Sequence, residues 1–343
     1  MTSSLLSDKS EGRVEGRTLD ASVIIPTRNR SDSLRRVLDA LARQDIDMRR
    51  IEVVVVVDGS SDDTLEVLQG ERWPLRLRVI QQEQRGPGAA RNRGTEAARG
   101  PVLIFLDDDV IPEPNLLAEH LRIRREAEPC VVIGRLAPDE SPRVPGWWRW
   151  LEWQLDKQYK AMADGERRLD GHSLYSGNFS VNREAFRRVG GFDETLVNCE
   201  DTDLGLRLQE AGFSFRLNLS ASARHCGHRD YRSWREMAYR GGRWDGALVL
   251  SFRYPFVWEA LFTGYRARHT LVRVFGKLTL DRGMLLPWTL AVLGSAARLS
   301  RLLRLRFLER RLYGGIYNLL YWQGVCDELG SAHVLWRHLR RRQ

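Results

Sequence analysis

Three short clusters hold most of the side chains in this sequence that can do chemistry. Asp107-Asp108-Asp109 follows directly on the apolar run Val102-Leu103-Ile104-Phe105-Leu106, and Asp58 closes a run of five valines, Val53–Val57. Glu200-Asp201-Thr202-Asp203 stands before Leu204-Gly205-Leu206, with His225-Cys226-Gly227-His228 beyond it. Carboxylates packed this closely repel one another and resist burial unless a cation neutralises them. Hard divalent ions take oxygen ligands, and Mg²⁺ is commonly held by one or two carboxylates plus the phosphates of a substrate. The Asp triplet therefore reads as a Mg²⁺ or Mn²⁺ site carrying a diphosphate, against the plainer reading of an acidic turn after a strand. Glu200-Asp201 also has two readings: acids that complement the dipole at a helix start, or a carboxylate facing a cleft as a base. A structural zinc site at His225 and Cys226 would need four ligands, and no second CxxC or HxxxH supplies the rest. One histidine completing the aspartate site fits better, because imidazole is an acceptable Mn²⁺ ligand.

The apolar patterning shows what must position these residues. Val23–Ile25, Val53–Val57, Leu75–Ile80 and Val102–Leu106 read as buried strands. Between them, Leu34, Val37, Leu38 and Leu41 follow helical spacing after Ser31, a second helix starts near Thr64, and Ala89–Ala98 forms a third. Strands buried on both faces and alternating with helices imply an α/β fold with a mostly parallel sheet between helix layers. Ligands bind such sheets outside the carboxyl ends of the strands. Asp58 and Asp107–Asp109 each follow a strand, so both are expected on that one edge. Beyond them we expect a helix over 116–128, strands at 131–133, 176–182 and 213–219, and a helix over 183–189 closed by Gly190-Gly191. Trp147, Trp148, Trp150 and Trp153 form either a stacking platform for a sugar or lipid interface or the packed side of a helix. Gly241-Gly242 is expected to break a helix begun at Tyr231.

The 343 residues carry a net charge of +9, nearly all of the positive charge being arginine. Such a surface suits nucleotide phosphates, anionic lipid or nucleic acid. The four cysteines are scattered without CxxC spacing, as in a reducing compartment. Residues 1–20 are polar, read as a flexible tail, and show no apolar secretory signal. Residues 284–297 are uncharged but too few to span a bilayer. They are followed by Arg298, Arg301, Arg304, Arg306, Arg310 and Arg311, interleaved with Leu and Phe. That pattern fits an interfacial helix on an anionic leaflet, or a helical subdomain with solvated arginines. The expected location is the cytoplasm, at the inner face of the plasma membrane.

Five segments in order resemble the family 2 glycosyltransferases of GT-A fold: VIIPTRNR at 23–30, VVVVVDGSSDDT at 53–64, RGPGAARNRG at 85–94, FLDDDV at 105–110, and GGFDE with NCEDTDLGLRL at 190–208. The resemblance covers residues 20–230. It implies a catalytic domain over 21–230, with a nucleotide-binding half at 21–110 and an acceptor-binding half at 111–230, followed by a helical, basic region at 231–343. It further implies that Pro26, Thr27, Arg28 and Asn29 lie along the nucleotide, with Arg28 where many members have Tyr. Asp58 would bond the base, usually uracil, and Arg85 would approach the nucleotide. Asp107 and Asp108 would contact ribose and diphosphate, and Asp107, Asp109 and His225 would hold Mg²⁺ or Mn²⁺. Asp201 matches the general base of inverting members. The implied partners are a nucleoside-diphosphate sugar and a glycan, lipid-linked or small-molecule acceptor, with no nucleic acid. Two rivals explain less. A nucleotidyltransferase would show a Gly-rich loop after the first strand, where Pro26-Thr27-Arg28-Asn29 stands. A non-enzymatic protein binding nucleic acid or membrane through its arginines leaves the acidic edge without a purpose.

Overall fold

The computed structural model describes residues 18–126, 130–141, 143–196, 198–227, 229–251, 255–266, 268, 270–280 and 285–341. The tail expected at 1–20 falls outside them as far as residue 17, as do His228, Met284 and the last two residues. The chain divides into two compact units. The first takes the chain through Glu140 together with Trp153–Gly227; the second takes Ser141–Glu152 and the chain beyond Gly227.

In the first unit, β1 (Ala21–Thr27), α1 (Ser31–Leu41), β2 (Ile51–Asp58), α2 (Thr64–Gly70), β3 (Arg76–Gln82), α3 (Pro87–Ala97) and β4 (Val102–Leu106) alternate as the sequence pattern predicts. They are followed by β5 (Val110–Pro112), α4 (Leu116–Glu126), β6 (Cys130–Ala137), α5 (Gly146–Ala163, whose residues up to Glu152 belong to the second unit), β7 (Asn178–Asn182), α6 (Arg183–Arg188), α7 (Glu200–Glu210) and β8 (Ser214–His225). The eight strands form one sheet in the order β3-β2-β1-β4-β7-β6-β8-β5. β3, β2, β1 and β4 run parallel, whereas β7 is antiparallel to both β4 and β6. β1 and β2 are buried along their whole length, which is why they read as unbroken apolar runs. The strand order reverses direction between β1 and β4, so the crevice at the carboxyl ends of these two strands is the expected ligand position.

Two features of the sheet depart from expectation. β8 runs on to His225 because Gly134 pairs with Asn218 while Arg135 pairs with Ser222, so extra residues bulge out of β8 and pairing resumes beyond them. The small β5 pairs with β8, placing Val110 opposite His225. Three residues after an acidic turn carry no periodicity from which a strand could be read.

The second unit holds α8 (Tyr231–Leu250), α9 (Pro255–Arg266), α10 (Thr270–Thr279), α11 (Leu285–Leu302), α12 (Arg306–Glu328) and α13 (Ala332–Arg341). The Trp-rich segment resolves in favour of packing for two of its rings. Trp148 and Trp150 are buried, and Trp150 meets Trp234 edge-on at 5.9 Å and Tyr317 at 4.7 Å, whereas Trp153 is partly exposed with Lys157 over its ring. The expected break at Gly241-Gly242 is corrected: α8 runs straight through. Glycine is there for proximity rather than for a turn. A Cβ on Gly242 would lie 1.9 Å from the Tyr321 carbonyl oxygen, and one on Gly324 would lie 2.1 Å from that of Tyr239, so α8 and α12 touch backbone to backbone. Gly242→Val should force these helices apart and cost about 2 kcal/mol or more, as overpacking does. A drop in the denaturation midpoint at unchanged helical content checks it; an unchanged midpoint contradicts the close packing.

Candidate active site at the carboxyl edge of the sheet

β1, β2 and β4 deliver their loops to one edge, and hydrogen bonds lock those loops together. Asn29, in the left-handed region at φ 53°, donates its backbone N–H to Ser60 Oγ at 3.0 Å, and its side-chain oxygen accepts from the Ser61 N–H at 2.7 Å. Asparagine tolerates that conformation better than most residues. Asp58 is buried at the end of β2. Its Oδ1 accepts from the Arg85 N–H and from Gln82 Nε2, and its Oδ2 from the Gly86 N–H, all at 2.8 Å. Asp58 thus braces the 85–86 loop, and Arg85 itself extends to Glu194 at 2.6 Å. Thr27 is buried at the end of β1, and Arg28 is exposed beside it.

The Asp triplet is neutralised from two sides. Arg30 Nη1 reaches Asp108 Oδ1 at 3.0 Å and also contacts Asp109. Arg91, buried on α3, reaches Asp107 Oδ1 at 2.6 Å with one terminal nitrogen and Glu200 Oε1 at 3.1 Å with the other. The Asp107 carboxyl is pushed up by burial, but the charge and hydrogen bond of Arg91 outweigh this and hold it below its usual range. Asp108 goes the other way: burial lifts it to about 6, with Asp109 and Asp107 adding repulsion that Arg30 only partly offsets. Neither arginine stood out in the sequence. The available signal was stoichiometric: that many acids at one edge require cations, and Arg91 is the charged residue on the inward side of an Ala-rich helix.

Asp109 is buried, and the β5–β8 pairing carries His225 to it, with His225 Nε2 3.6 Å from Asp109 Oδ1. Its neighbourhood is tight: the Cys226 N–H donates to the Asp109 carbonyl at 2.8 Å, and a Cβ on Gly227 would lie 1.8 Å from Asp109 Oδ2. Among the described residues, no set of three or more His, Cys, Asp or Glu is arranged to hold an ion alone. Of the expected trio Asp107, Asp109 and His225, the structure brings His225 against Asp109, while Asp107 Oδ1 pairs with Arg91 and Asp109 also contacts Arg30. A hard ion held by few protein ligands completes its shell with phosphate and water. The donor set fits a divalent ion that arrives with a diphosphate.

Asp201 lies in the first turn of α7, just after Cys199, which adopts a left-handed φ of 62°. Its carboxylate accepts from the Thr202 N–H at 2.8 Å and the Ser176 N–H at 3.3 Å. Burial and then the Glu200 charge lift the Asp201 carboxyl to about 6, which these amides and Arg91 moderate. A carboxylate poised near neutral pH can accept a proton from a hydroxyl as that hydroxyl attacks.

Residues 22–190 match glycosyl transferase family 2, and residues 157–229 match the N-terminal domain of galactosyltransferase. The validoxylamine A glucosyltransferase of Streptomyces hygroscopicus subsp. jinggangensis is 33% identical over 217 residues, which are 56% of this chain and 51% of that protein. The pre-mycofactocin glycosyltransferase of Mycobacterium tuberculosis is 31% identical over 246 residues, 69% of this chain and 48% of that one. The chain spans about half the length of these curated relatives. Two solved structures share the fold. Staphylococcus aureus TarS in complex with UDP matches with TM-score 0.55 at 19% identity, over 91% of this chain and 92% of that one. The mannosyltransferase PcManGT from Pyrobaculum calidifontis, in complex with GDP-Man and Mn²⁺, matches with TM-score 0.55 at 18% identity, over 88% and 86%. The fold is GT-A. Residues 22–190 place the chain in glycosyltransferase family 2.

Arg91→Gln should leave Asp107 and Glu200 without their shared cation and cost about 3 kcal/mol, as breaking a buried ion pair does. Urea denaturation checks it, and a loss under about 1 kcal/mol would show the acids to be neutralised elsewhere.

Proposed function

We propose that this protein transfers a sugar from a nucleoside-diphosphate sugar, preferably a UDP-sugar, to an acceptor hydroxyl with inversion of the anomeric centre and with Mg²⁺ or Mn²⁺ as cofactor. The observation that carries this reading is the double contact of Arg91 with Asp107 and Glu200. One guanidinium thereby joins the edge suited to a diphosphate to the helix start bearing Asp201. The names of the relatives support sugar transfer, and the UDP held by TarS and the GDP-Man and Mn²⁺ held by PcManGT support a nucleotide-sugar donor and a divalent ion.

On this reading Pro26, Thr27, Arg28 and Asn29 line the nucleoside, and Asp58 holds the 85–86 loop and its Arg85 against it. Asp107 and Asp108 face ribose and diphosphate. Asp107, Asp109 and His225 would hold the ion, which would supply stabilisation of negative charge on the departing diphosphate. Asp201 takes the proton of the acceptor hydroxyl. The acceptor oxygen bonds to the anomeric carbon, the bond from that carbon to the diphosphate oxygen breaks, and its electron pair leaves with the nucleoside diphosphate. Attack opposite the leaving group inverts the centre in one step. The acceptor class is a glycan, a lipid-linked sugar or a small molecule.

Asp201→Asn should lower turnover by about 10²- to 10⁴-fold, the usual worth of a general base, while UDP affinity stays within about twofold. Retained turnover would remove Asp201 from this role. The base works only when ionised, and burial and the Glu200 charge lift its carboxyl to about 6 in the free protein, so kcat/KM should rise through that pH and level off above it. A wild-type profile flat between pH 5 and 8 would contradict the assignment.

A further inference from the structure

The second unit carries an apolar surface that its own packing does not use. On α11 the inward stripe is Leu290, Gly294, Ala297 and Ser300, all buried. On the outward side Leu285, Trp288, Val292, Leu299 and Leu302 are exposed, at separations that keep them on one face. Exposure reaches 69% at Trp288 and 80% at Leu302. At 18 residues the helix is about 27 Å long, so the stripe is continuous over several turns. Where α11 turns into α12, Leu303, Leu305, Phe307 and Leu308 extend it, Phe307 being 64% exposed. Contiguous exposed apolar surface of this extent marks an interaction site.

Charge decides what the partner is. Arg298, Arg301, Arg304, Arg306 and Arg311 are all exposed along the same stretch. Arg304 occupies a left-handed turn position at φ 57°, where glycine is usually favoured, so a cation stands at the tip where a smaller residue would fit with less strain. The one acid between residues 285 and 311 is Glu309, which is buried and faces Arg149 at 3.7 Å. The exposed charge is therefore all positive. A second copy of the chain laid across this face would bring arginine against arginine. Among the described residues, no helix is long and apolar enough to cross a membrane.

We propose that the outward face of α11 and the turn into α12 dock on an anionic lipid bilayer, with Trp288, Leu302 and Phe307 entering the headgroup boundary and the surrounding arginines engaging lipid phosphates. This goes beyond the transfer reaction and does not depend on it. An apolar face ringed by basic residues lies in the interface plane, and its affinity joins buried apolar area to attraction for anionic lipid.

The test is co-sedimentation of the full chain with vesicles of phosphatidylcholine containing 30% phosphatidylglycerol, against pure phosphatidylcholine. The expected result is partition at least tenfold stronger to the anionic vesicles. Leu302→Ser combined with Phe307→Ser should weaken it at least tenfold, and so should Arg301→Gln combined with Arg304→Gln. All four side chains are exposed, so the variants should keep the wild-type circular dichroism spectrum and UDP affinity. Absence of binding to anionic vesicles, or binding that neither pair of substitutions weakens, overturns the proposal. So does a wild-type dimer in light scattering that the Leu302/Phe307 variant converts to monomer while vesicle binding is unchanged, since the face would then be a self-association surface.

Discussion

Crowded negative charge at one edge of the sheet is the constraint to which the rest of the first unit answers. Asp107, Asp108, Asp109, Glu200 and Asp201 converge there, and no fold can bury that set unpaired. Arg30 and Arg91 make it tolerable by dividing the set between them: Arg30 takes Asp108 and Asp109, Arg91 takes Asp107 and Glu200. Among the described residues Asp201 has no ion-pair contact of this kind; two backbone amides hold it, and burial and then the adjacent Glu200 raise its carboxyl to about 6. Asp107 is thus held below the usual carboxylate range, while Asp108 and Asp201 are lifted to about 6.

The antiparallel half of the sheet serves the same edge. Reversal at β7 and the pairing of β5 with β8 bring His225, far along the chain, back beside Asp109. Gly227 next to it must lack a side chain for Asp109 to stay in place. The second unit follows a different rule. Its α8 and α12 approach so closely that glycines mark their contact, while α11 leaves one apolar face outward. Packing inside that unit and exposure at its rim are read from neighbouring residues of one helix, at positions such as Ser300 and Leu302.

The parallel half of the fold was legible from residue order alone, because strands buried on both faces must be written as unbroken apolar runs such as Val53–Val57. Asp58 and Asp107–Asp109 were legible for a similar reason: each directly follows or ends a strand, and strand ends share an edge, whereas Glu200 and Asp201 open α7. What stayed hidden depends on partners distant in sequence. β5 has no periodicity of its own, and β8 continues through Asn218, Ser220 and Ser222 because its neighbour and a bulge sustain it. Gly241-Gly242 carries the signal of a helix break, yet Tyr321 shows it to be a contact. Arg91 looked like one arginine among many, and only its burial against two acids separates it from a solvated one. Sequence spacing likewise says nothing about which acid an arginine will claim, as Arg91 claims Asp107 and Arg30 claims Asp108 and Asp109.

On the proposed reading, this acid-lined edge is a nucleotide site completed by a divalent ion. Isothermal titration of the full chain with UDP, GDP and dTDP, each with Mn²⁺ and then with EDTA, tests it most directly. UDP should bind best with Mn²⁺ present, and chelation should weaken it at least tenfold. Binding of none of the three nucleotides with metal, or UDP affinity that is the same with Mn²⁺ as with EDTA, would contradict it.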